Sequence, residues 1–261
     1  SEYYLKLANC YNANNQIDKA IETYTEYLQL KPQSDNGYLK LGAAFQLKGD
    51  KALAVKNYKV ALEINPELNA AQYLLNSLTN GQIKSSPLNY VEELFDSFSD
   101  NFEHSLFDKL EYNIPKLVAN LLEETEKKLP IKSVLDLGCG TGLVGKEIRN
   151  LCETLHGVDI SKKMLSKARQ KNVYDQLSHM DILKYLSTSR LHFDYFIFAD
   201  VFVYVGDLTE IFKLIKDKNE RKAKLIFSTE HGLQDDYRIQ ETGRFNHSYS
   251  YIKRLATQLD Y

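Results

Sequence analysis

The stretch that decides the fold is Ser133–Gly145, SVLDLGCGTGLVG. Its apolar start, with Val134, Leu135 and Leu137, is typical of a short buried strand. Leu143 then begins a helical pattern, after three glycines at alternate positions, Gly138, Gly140 and Gly142. Because glycine tolerates sharp turns and lets a ligand approach the backbone, this strand–turn–helix unit predicts a binding loop. In open α/β sheets such a turn lies at the carboxyl ends of the strands, where ligands bind.

Two acidic residues narrow the choice of ligand. Asp136, near the end of the strand, is a poor neighbour for a pyrophosphate but suits a ligand that carries an ammonium group and a positive sulfur. Asp159 ends a second apolar run at about the spacing at which an acid meets ribose hydroxyls in nucleotide-binding βαβ units. From roughly Lys132 to the last residue, the chain resembles the class I S-adenosylmethionine-dependent methyltransferases. The glycines alone leave two alternatives open, an NAD or FAD site and an ordinary tight turn.

Composition excludes several other classes. The chain has 261 residues, 43% hydrophobic and 26% charged, as in an ordinary globular protein of one large or two modest domains. Its net charge of −2 gives no electrostatic footprint for nucleic acid or an anionic membrane. No apolar run reaches the ~20 residues that span a bilayer, and no secretory signal is found. Cys10, Cys139 and Cys152 lack CxxC spacing, which indicates neither a disulfide framework nor a zinc site and favours a cytoplasmic protein.

The first 78 positions contain an internal repeat. The repeated residues are Tyr4, Leu7, Ala8, Tyr11, Ala20, Tyr24 and Pro32, which return as Tyr38, Leu41, Gly42, Phe45, Ala54, Tyr58 and Pro66. This spacing resembles tetratricopeptide repeats, pairs of antiparallel helices with a period of about 34 residues. A third unit begins at Asn69–Leu78 and fades, which predicts a single closing helix. Since such arrays present a concave surface to partners, a protein partner is one expectation for this region.

The segment between the repeats and the glycine turn predicts a linker followed by helices. Thr79–Asn89 is rich in Gly, Ser, Pro and Asn, so we divide the chain into a repeat domain (1–80), a linker (81–89), a helical lead-in (90–130) and a methyltransferase domain (131–261). The lead-in wording FDxFSxxFExxLxxxLxY resembles that of bacterial methyltransferases with N-terminal tetratricopeptide repeats, in which this segment covers the cofactor as a lid. That resemblance makes Tyr90, Phe98 and Phe102 lid candidates, and an aromatic face beside a sulfonium gains roughly 0.5–2 kcal/mol. The alternative is a plain amphipathic pair that covers a sheet edge.

From Lys132 onward, strand and helix patterns alternate. The predicted strands are Ser133–Leu137, Thr154–Asp159, Gln176–Met180, Phe193–Ala199 and Lys224–Ser228. The predicted helices are Leu143–Leu151, Lys162–Lys171, Ile182–Leu186, Leu208–Lys216 and Ser250–Gln258. This alternation predicts an α/β fold, a doubly wound Rossmann-like parallel sheet preceded by an all-α repeat domain. Seven strands are usual in the resembled class and five are found here, so we expect the sequence to be truncated at its C-terminus, and its start inside a helical pattern suggests a fragment as well.

The resemblance assigns the cofactor, S-adenosyl-L-methionine, to specific side chains. It implies that Asp136 contacts the amino-acid end of the cofactor. A purely structural role for Asp136 is disfavoured, because a bare carboxylate in a strand is costly to bury without a partner. Gly138 and Gly140 let the loop wrap the cofactor. Asp159 accepts from the ribose 2′ and 3′ hydroxyls, with a helix N-cap before Ser161 as its alternative role.

The adenine contacts follow from the second and third strands. Asp181 resembles the family acid that accepts from the adenine N6 amine, with a helix cap as the alternative. Ile160 would lie on the adenine face, and Met180 and Ile182 would flank the ring.

The acceptor side is predicted from the region after the fourth strand. Asp200 would point toward the reacting methyl group, and His231 and His247 are candidates to touch the acceptor. Arg244 either pairs with an acidic substrate or makes a surface salt bridge. The strand lacks the proline-rich signature of enzymes that methylate adenine, cytosine or glutamine, which weighs against those acceptors.

The chemistry of methyl transfer requires little of the protein. The cofactor brings an activated leaving group and leaves as S-adenosyl-L-homocysteine, so the protein supplies alignment and desolvation, and no metal site is expected. We therefore predict a methyltransferase that acts on a small-molecule acceptor. Two alternatives stay open, a protein methyltransferase whose repeats recruit the target and a repeat scaffold with an idle second domain.

Overall fold

The structure, a computed structural model, divides into two compact units. The first comprises Ser1–Tyr90 together with Ile239–Arg244, and the second comprises Val91–Arg238 together with Phe245–Tyr261. The residues described are 1–79, 81, 83–99, 102–104, 106, 112–188 and 190–261. Among them, no helix is both long enough and apolar enough to cross a bilayer.

Helices α1 to α5 form the first unit, with the pairing that the repeat pattern predicts. Their bounds are Glu2–Ala13 (α1), Ile17–Leu30 (α2), Asp35–Lys48 (α3), Lys51–Ile64 (α4) and Asn69–Thr79 (α5). The turn inside each helix pair holds a residue with positive φ, Asn15 at 57° between α1 and α2 and Gly49 at 87° between α3 and α4. Ser34 and Asp50 cap α3 and α4 by accepting a backbone N–H with their side chains. The fading third unit is, as expected, a single closing helix.

Aromatic rings packed on small residues form the core of the repeat unit. Ala8, Ala20 and Tyr24 are buried between the first helices. In the second repeat, a Cβ added to Gly42 would lie 2.7 Å from the Tyr58 ring, so glycine is required for the helices to approach this closely.

The second unit contains a five-stranded parallel sheet. Its strands are Ile131–Leu137 (β1), Cys152–Asp159 (β2), Gln176–His179 (β3), Tyr195–Phe198 (β4) and Lys224–Phe227 (β5), in the order β3-β2-β1-β4-β5. The helices are Leu88–Phe98 (α6, which begins in the first unit), Ile114–Thr125 (α7), Leu143–Ile148 (α8), Lys162–Lys171 (α9), Ile182–Thr188 (α10), Thr209–Lys218 (α11) and Tyr249–Gln258 (α12). The strand order reverses between β1 and β4, which places a ligand crevice at their carboxyl ends. The predicted doubly wound α/β fold is confirmed.

Alternate side chains of the central strand serve the two faces of the sheet. Val134 packs with Val118 and Leu122 of α7 on one face. Leu135 and Leu137 pack on the other face, in the cluster that contains Phe212 of α11. Both layers are therefore closed by helices, and the crevice at the strand ends is where polar groups collect.

Three short strands that the sequence does not predict form a second sheet. They are Glu230–His231 (β6), Tyr237–Ile239 (β7) and Phe245–His247 (β8), in the order β6-β8-β7. Strands of two or three residues are too short to show an alternating pattern, which explains why they were missed. The predicted helix Leu143–Leu151 ends instead in a 3-10 turn over Arg149–Leu151, and the predicted strand Phe193–Ala199 is shorter at both ends.

Candidate functional site

Four carboxylates lie along one edge of the parallel sheet. Asp136 is the penultimate residue of β1, and Asp159 is the last residue of β2. Asp181 and Asp200 follow two residues after β3 and β4. Since these strands are parallel neighbours, their carboxyl ends share an edge, and the fold brings the four predicted acids to it.

The glycine turn connects this edge to α8. Gly138, Gly140 and Gly142 have φ values of 73°, 54° and 86°, a backbone region that other residues adopt at a cost. A Cβ at Gly138 would lie only 2.4 Å from Cγ2 of Val201, whereas a Cβ at Gly140 would meet no atom within 4 Å. Gly138 is therefore fixed by packing, and Gly140 leaves open space beside the backbone.

Asp136 is a buried carboxylate with one oxygen unsatisfied. The Tyr174 hydroxyl donates to its Oδ2 at 2.6 Å, and Oδ1 has no hydrogen-bond partner among the described residues. Burial raises the pKa of Asp136 to about 7, the Tyr174 hydrogen bond lowers it, and the charge of Asp159 raises it. A buried carboxylate without a full set of partners is costly, so the site suits a cationic group placed at Oδ1.

Asp159 is held by two backbone groups. Its Oδ2 accepts from the N–H of Gly140 at 2.8 Å, and its Oδ1 accepts from that of Ser161 at 2.7 Å. Burial raises its pKa to about 6, and both of these hydrogen bonds lower it. The side chain that caps α9 is that of Ser161, which accepts from the N–H of Met164. Asp159 thus locks the glycine turn to β2, and each of its oxygens keeps a second lone pair for a ligand hydroxyl.

Asp181 caps the helix that follows it, because its Oδ1 accepts from the N–H of Lys184 at 2.9 Å. Ile160 and Ile182 are half-buried near the same strand ends, and the His179 ring donates to the carbonyl of Ile160 at 2.7 Å. The helix cap is one of the two roles expected for Asp181. The Oδ2 of Asp181 can still accept from an adenine amine, which is the other expected role.

Asp200 occupies a tight bend with φ of 55°, which is uncommon for a residue other than glycine. Its N–H donates to Oγ of Ser228, whose hydroxyl donates back to Oδ1 of Asp200 at 3.0 Å. The Tyr112 hydroxyl also hydrogen-bonds Asp200, and burial, followed by this carboxylate, raises the pKa of Tyr112. Tyr112 is the last residue of the lead-in motif FDxFSxxFExxLxxxLxY, and its place in that motif could have marked it as a candidate site residue.

Two residues of the lead-in helix α6 that the sequence does not predict as part of the lid, Phe95 and Asp96, make contacts within the second unit. Oδ1 of Asp96 accepts from the Ser161 hydroxyl at 2.5 Å, and its charge raises the pKa of Asp159. Phe95 packs edge-on against Tyr204 and Phe102, with ring centroids 5.4 and 6.1 Å away. Of these, only Phe102 was a lid candidate.

The other two lid candidates, Tyr90 and Phe98, both belong to α6. Phe98 is 43% exposed. Tyr90 belongs to the first unit, where its ring packs 5.3 Å from that of Tyr73. Phe95 of α6 thus forms one aromatic cluster with Phe102 and Tyr204.

The two candidate histidines differ in exposure. His247 is buried, and its Nε2 donates to the carbonyls of Val205 and Gly206 at 3.0 Å each. Burial lowers the pKa of His247, so its ring is neutral and supports the loop that follows β4. His231 is exposed on β6. Within the described ranges, no cluster of three or more His, Cys, Asp or Glu side chains could hold a metal ion.

Comparisons with known families agree with this architecture. Residues 134–218 match the methyltransferase domain family. Residues 8–49 and 36–68 match two families of tetratricopeptide repeats.

Curated relatives cover parts of the chain. An uncharacterized protein of Haemophilus influenzae is 29% identical over an aligned length of 172 residues, and the alignment covers 57% of this chain and 67% of that protein. Malonyl-[acyl-carrier protein] O-methyltransferase of Buchnera aphidicola is 34% identical over 93 residues, 35% of each chain. The chain thus spans about two thirds of the first relative and about a third of the second.

Among solved structures, the magnesium protoporphyrin IX methyltransferase of Synechocystis with bound S-adenosylmethionine aligns with a TM-score of 0.52. Sequence identity is 18%, and the alignment covers 66% of this chain and 85% of that one. At this identity the likeness establishes a shared fold.

Proposed function

The chain carries a methyltransferase domain of the S-adenosylmethionine-dependent class behind tetratricopeptide repeats, and from this premise we propose that it methylates a small-molecule acceptor. The observation that carries the cofactor part of this proposal is the unpaired Oδ1 of Asp136 beside a glycine turn. S-Adenosylmethionine bears an ammonium group, and an ammonium at Oδ1 would offset the cost of burying this carboxylate.

The remaining contacts of the cofactor are part of the same proposal. The backbone at Gly138 and Gly140 would pass along the ligand, with the open space at Gly140 next to it. Asp159 would accept from the ribose hydroxyls, and Asp181 from the adenine N6 amine. Ile160 and Ile182 would supply apolar contacts to the adenine ring.

The reaction itself is an in-line displacement at carbon, for which the cofactor supplies an activated leaving group. The protein aligns the acceptor and excludes water. An acceptor that keeps its proton at neutral pH needs a base, and we assign that role to Asp200, which hydrogen-bonds Ser228 and Tyr112. His247 uses its Nε2 within the protein, so we give it a supporting role in the loop after β4 rather than direct contact with the acceptor.

The choice of a small acceptor rests on the net charge of the chain and on the lack of a proline-rich signature at the end of its fourth strand. A net charge of −2 provides no general attraction for nucleic acid. The Buchnera aphidicola relative is a malonyl-[acyl-carrier protein] O-methyltransferase, so an oxygen acceptor is tested first. We place the reaction in the cytoplasm, in keeping with the free thiols of Cys10, Cys139 and Cys152.

The repeats favour a second candidate, the methylation of a protein that they recruit. Tetratricopeptide arrays bind partners through an extended concave surface. Transfer of a radiolabelled methyl group to a cell lysate separates the two candidates. Label in protein bands supports recruitment of a protein, and label confined to the small-molecule fraction supports the first candidate.

Binding of the cofactor is tested by isothermal titration of the full chain with S-adenosylhomocysteine. Asp159→Ala should weaken binding at least ~tenfold, because it removes the ribose acceptor and frees two backbone N–H groups. The matched control is Asp194→Ala, since Asp194 also accepts a backbone N–H, at the opposite end of the sheet. The absence of heat with the wild-type chain would contradict the proposal.

A further inference from the structure

Tyr174 has no part in the scheme above, yet its hydroxyl reaches the centre of the site. The residue lies between α9 and β3, and it donates to Oδ2 of Asp136 at 2.6 Å. Because that oxygen already has a strong donor, the carboxylate presents Oδ1 as its free acceptor.

Three glycines from separate elements make room for the Tyr174 ring. A Cβ at Gly145 of α8 would lie 2.4 Å from Cζ of the ring, and a Cβ at Gly142 would lie 3.0 Å from Cε2. A Cβ at Gly157 of β2 would lie 3.0 Å from Cδ1. The ring is therefore enclosed on several sides, and the hydroxyl is held at Asp136 without freedom to swing away.

We propose that Tyr174 is a positioning residue that keeps the Asp136 carboxylate ionised and turns its Oδ1 toward the ammonium group of S-adenosylmethionine. The inference rests on the proposed function, because it concerns the same cofactor site. It adds a residue that the glycine motif does not contain.

The electrostatic surroundings explain why one hydrogen bond matters here. Burial is the main cause that raises the pKa of Asp136 to about 7, close to neutral pH, and this value already includes the opposing effect of the Tyr174 hydrogen bond, which lowers it. The other groups that face Asp136 are Asp159 on β2, which raises its pKa, Tyr112 ahead of α7, and Cys139 in the glycine turn. The last two are neutral, because burial and these carboxylates raise their own pKa values. Loss of the Tyr174 hydroxyl therefore favours protonation of Asp136, which removes its attraction for an ammonium group.

The test is the pH dependence of S-adenosylhomocysteine binding, measured by titration calorimetry between pH 6 and pH 8.5. Wild-type affinity should fall as the pH drops through about 7, since Asp136 becomes protonated. Tyr174→Phe keeps the ring but should move this midpoint upward by about one pH unit, which weakens binding about fivefold at pH 7 and about ninefold at pH 6. At the alkaline end the two proteins should converge.

The matched control is Tyr24→Phe in the repeat unit. Tyr24 is also a buried tyrosine, and its hydroxyl donates to Oδ1 of Asn9 at 2.7 Å. This variant should bind the ligand like the wild type at every pH. A constant affinity ratio between Tyr174→Phe and the wild type across the whole range would overturn the proposal, since it would indicate packing alone.

A second measurement needs no ligand. In a protein with ¹³C-labelled aspartate, the Asp136 carboxyl resonance is assigned by its loss in Asp136→Asn, and its pKa is followed by NMR. Tyr174→Phe should raise that pKa, and an unchanged value would contradict the inference. If the wild type fails to bind S-adenosylhomocysteine while the pKa rises, the hold of Tyr174 on Asp136 stands and the proposed function fails.

Discussion

Buried tyrosines serve different purposes in the two units. In the repeat unit, the hydroxyls of Tyr24 and Tyr58 donate to the neutral amide side chains of Asn9 and Gln46, and both rings pack on small residues. In the second unit, Tyr174 donates to a carboxylate that still lacks a partner at its other oxygen. The hydroxyls of Tyr24 and Tyr58 thus stabilise the repeat unit through neutral hydrogen bonds, whereas Tyr174 contacts a carboxylate whose Oδ1 can still accept from a ligand. The unpaired oxygen of the acceptor, more than the residue type, distinguishes Tyr174 from these two tyrosines.

The largest effect in the second unit should come from Gly138→Val. A branched side chain at φ of 73° and a Cβ placed 2.4 Å from Val201 should together destabilise this unit by about 3 kcal/mol and abolish binding of S-adenosylhomocysteine. Urea unfolding and titration calorimetry measure the two losses. Gly140→Ala is the comparison, because its Cβ meets no protein atom and adds only the backbone strain of about 1–2 kcal/mol. Normal binding by Gly138→Val would contradict the assigned role of the turn.

A smaller effect, of opposite sign on stability, is expected for Asp136→Asn. The folded pKa of Asp136, about 7, lies above the unfolded value, so its contribution to stability is fully present below the unfolded pKa and is lost as the pH rises through about 7. The asparagine variant lacks this loss, so it should exceed the wild type in stability at pH 8 by on the order of 2 kcal/mol and match it more closely at pH 4. Urea unfolding at the two pH values provides the comparison. Ligand binding should be lost in the same variant, and equal stability at both pH values would show that the carboxylate is not under strain.

In the repeat unit, Gly42→Ala should reduce stability without any change in ligand affinity. Its Cβ would lie 2.7 Å from the Tyr58 ring, and overpacking of this kind costs about 1–3 kcal/mol, part of which the better helix propensity of alanine offsets. Thermal unfolding followed by circular dichroism measures the loss, and calorimetry the affinity. A weakened affinity would break the division of roles between the two units.

The smallest effect belongs to Lys48→Ala. Lys48 pairs with Asp18 at 2.6 Å, but the two side chains are 51% and 77% exposed, so solvent and salt screen the attraction. The melting temperature should stay within experimental error of the wild-type value at physiological salt. A clear decrease would show that surface charges support the repeat unit more than its packed tyrosines suggest.

The parts of the candidate site that are local in the chain can be predicted from the sequence. The strand before Asp136, the three glycines and the acid Asp159 lie in short windows whose patterns specify strand, turn and strand end. The internal repeat likewise predicted the helix pairs, because each residue returns one period later.

What the sequence did not reveal depends on contacts between distant segments. The role of Tyr174 follows from glycines at positions 142, 145 and 157, which no single window contains. Tyr112 meets Asp200 across a long separation, and the short strands β6 to β8 gain their structure from each other rather than from an alternating pattern. The burial of His247 and the two carbonyl acceptors of its Nε2 are likewise not visible in the sequence.

At the bend formed by Asp200, the side chain can be changed while the backbone conformation is kept. Asparagine and glycine tolerate a left-handed conformation, so either should preserve the path of the chain at this corner while it removes the acid. Directed evolution could therefore exchange the side chain that we propose as the base without rebuilding the loop around it. Altered preference among methyl acceptors would be the trait to select for in such a library.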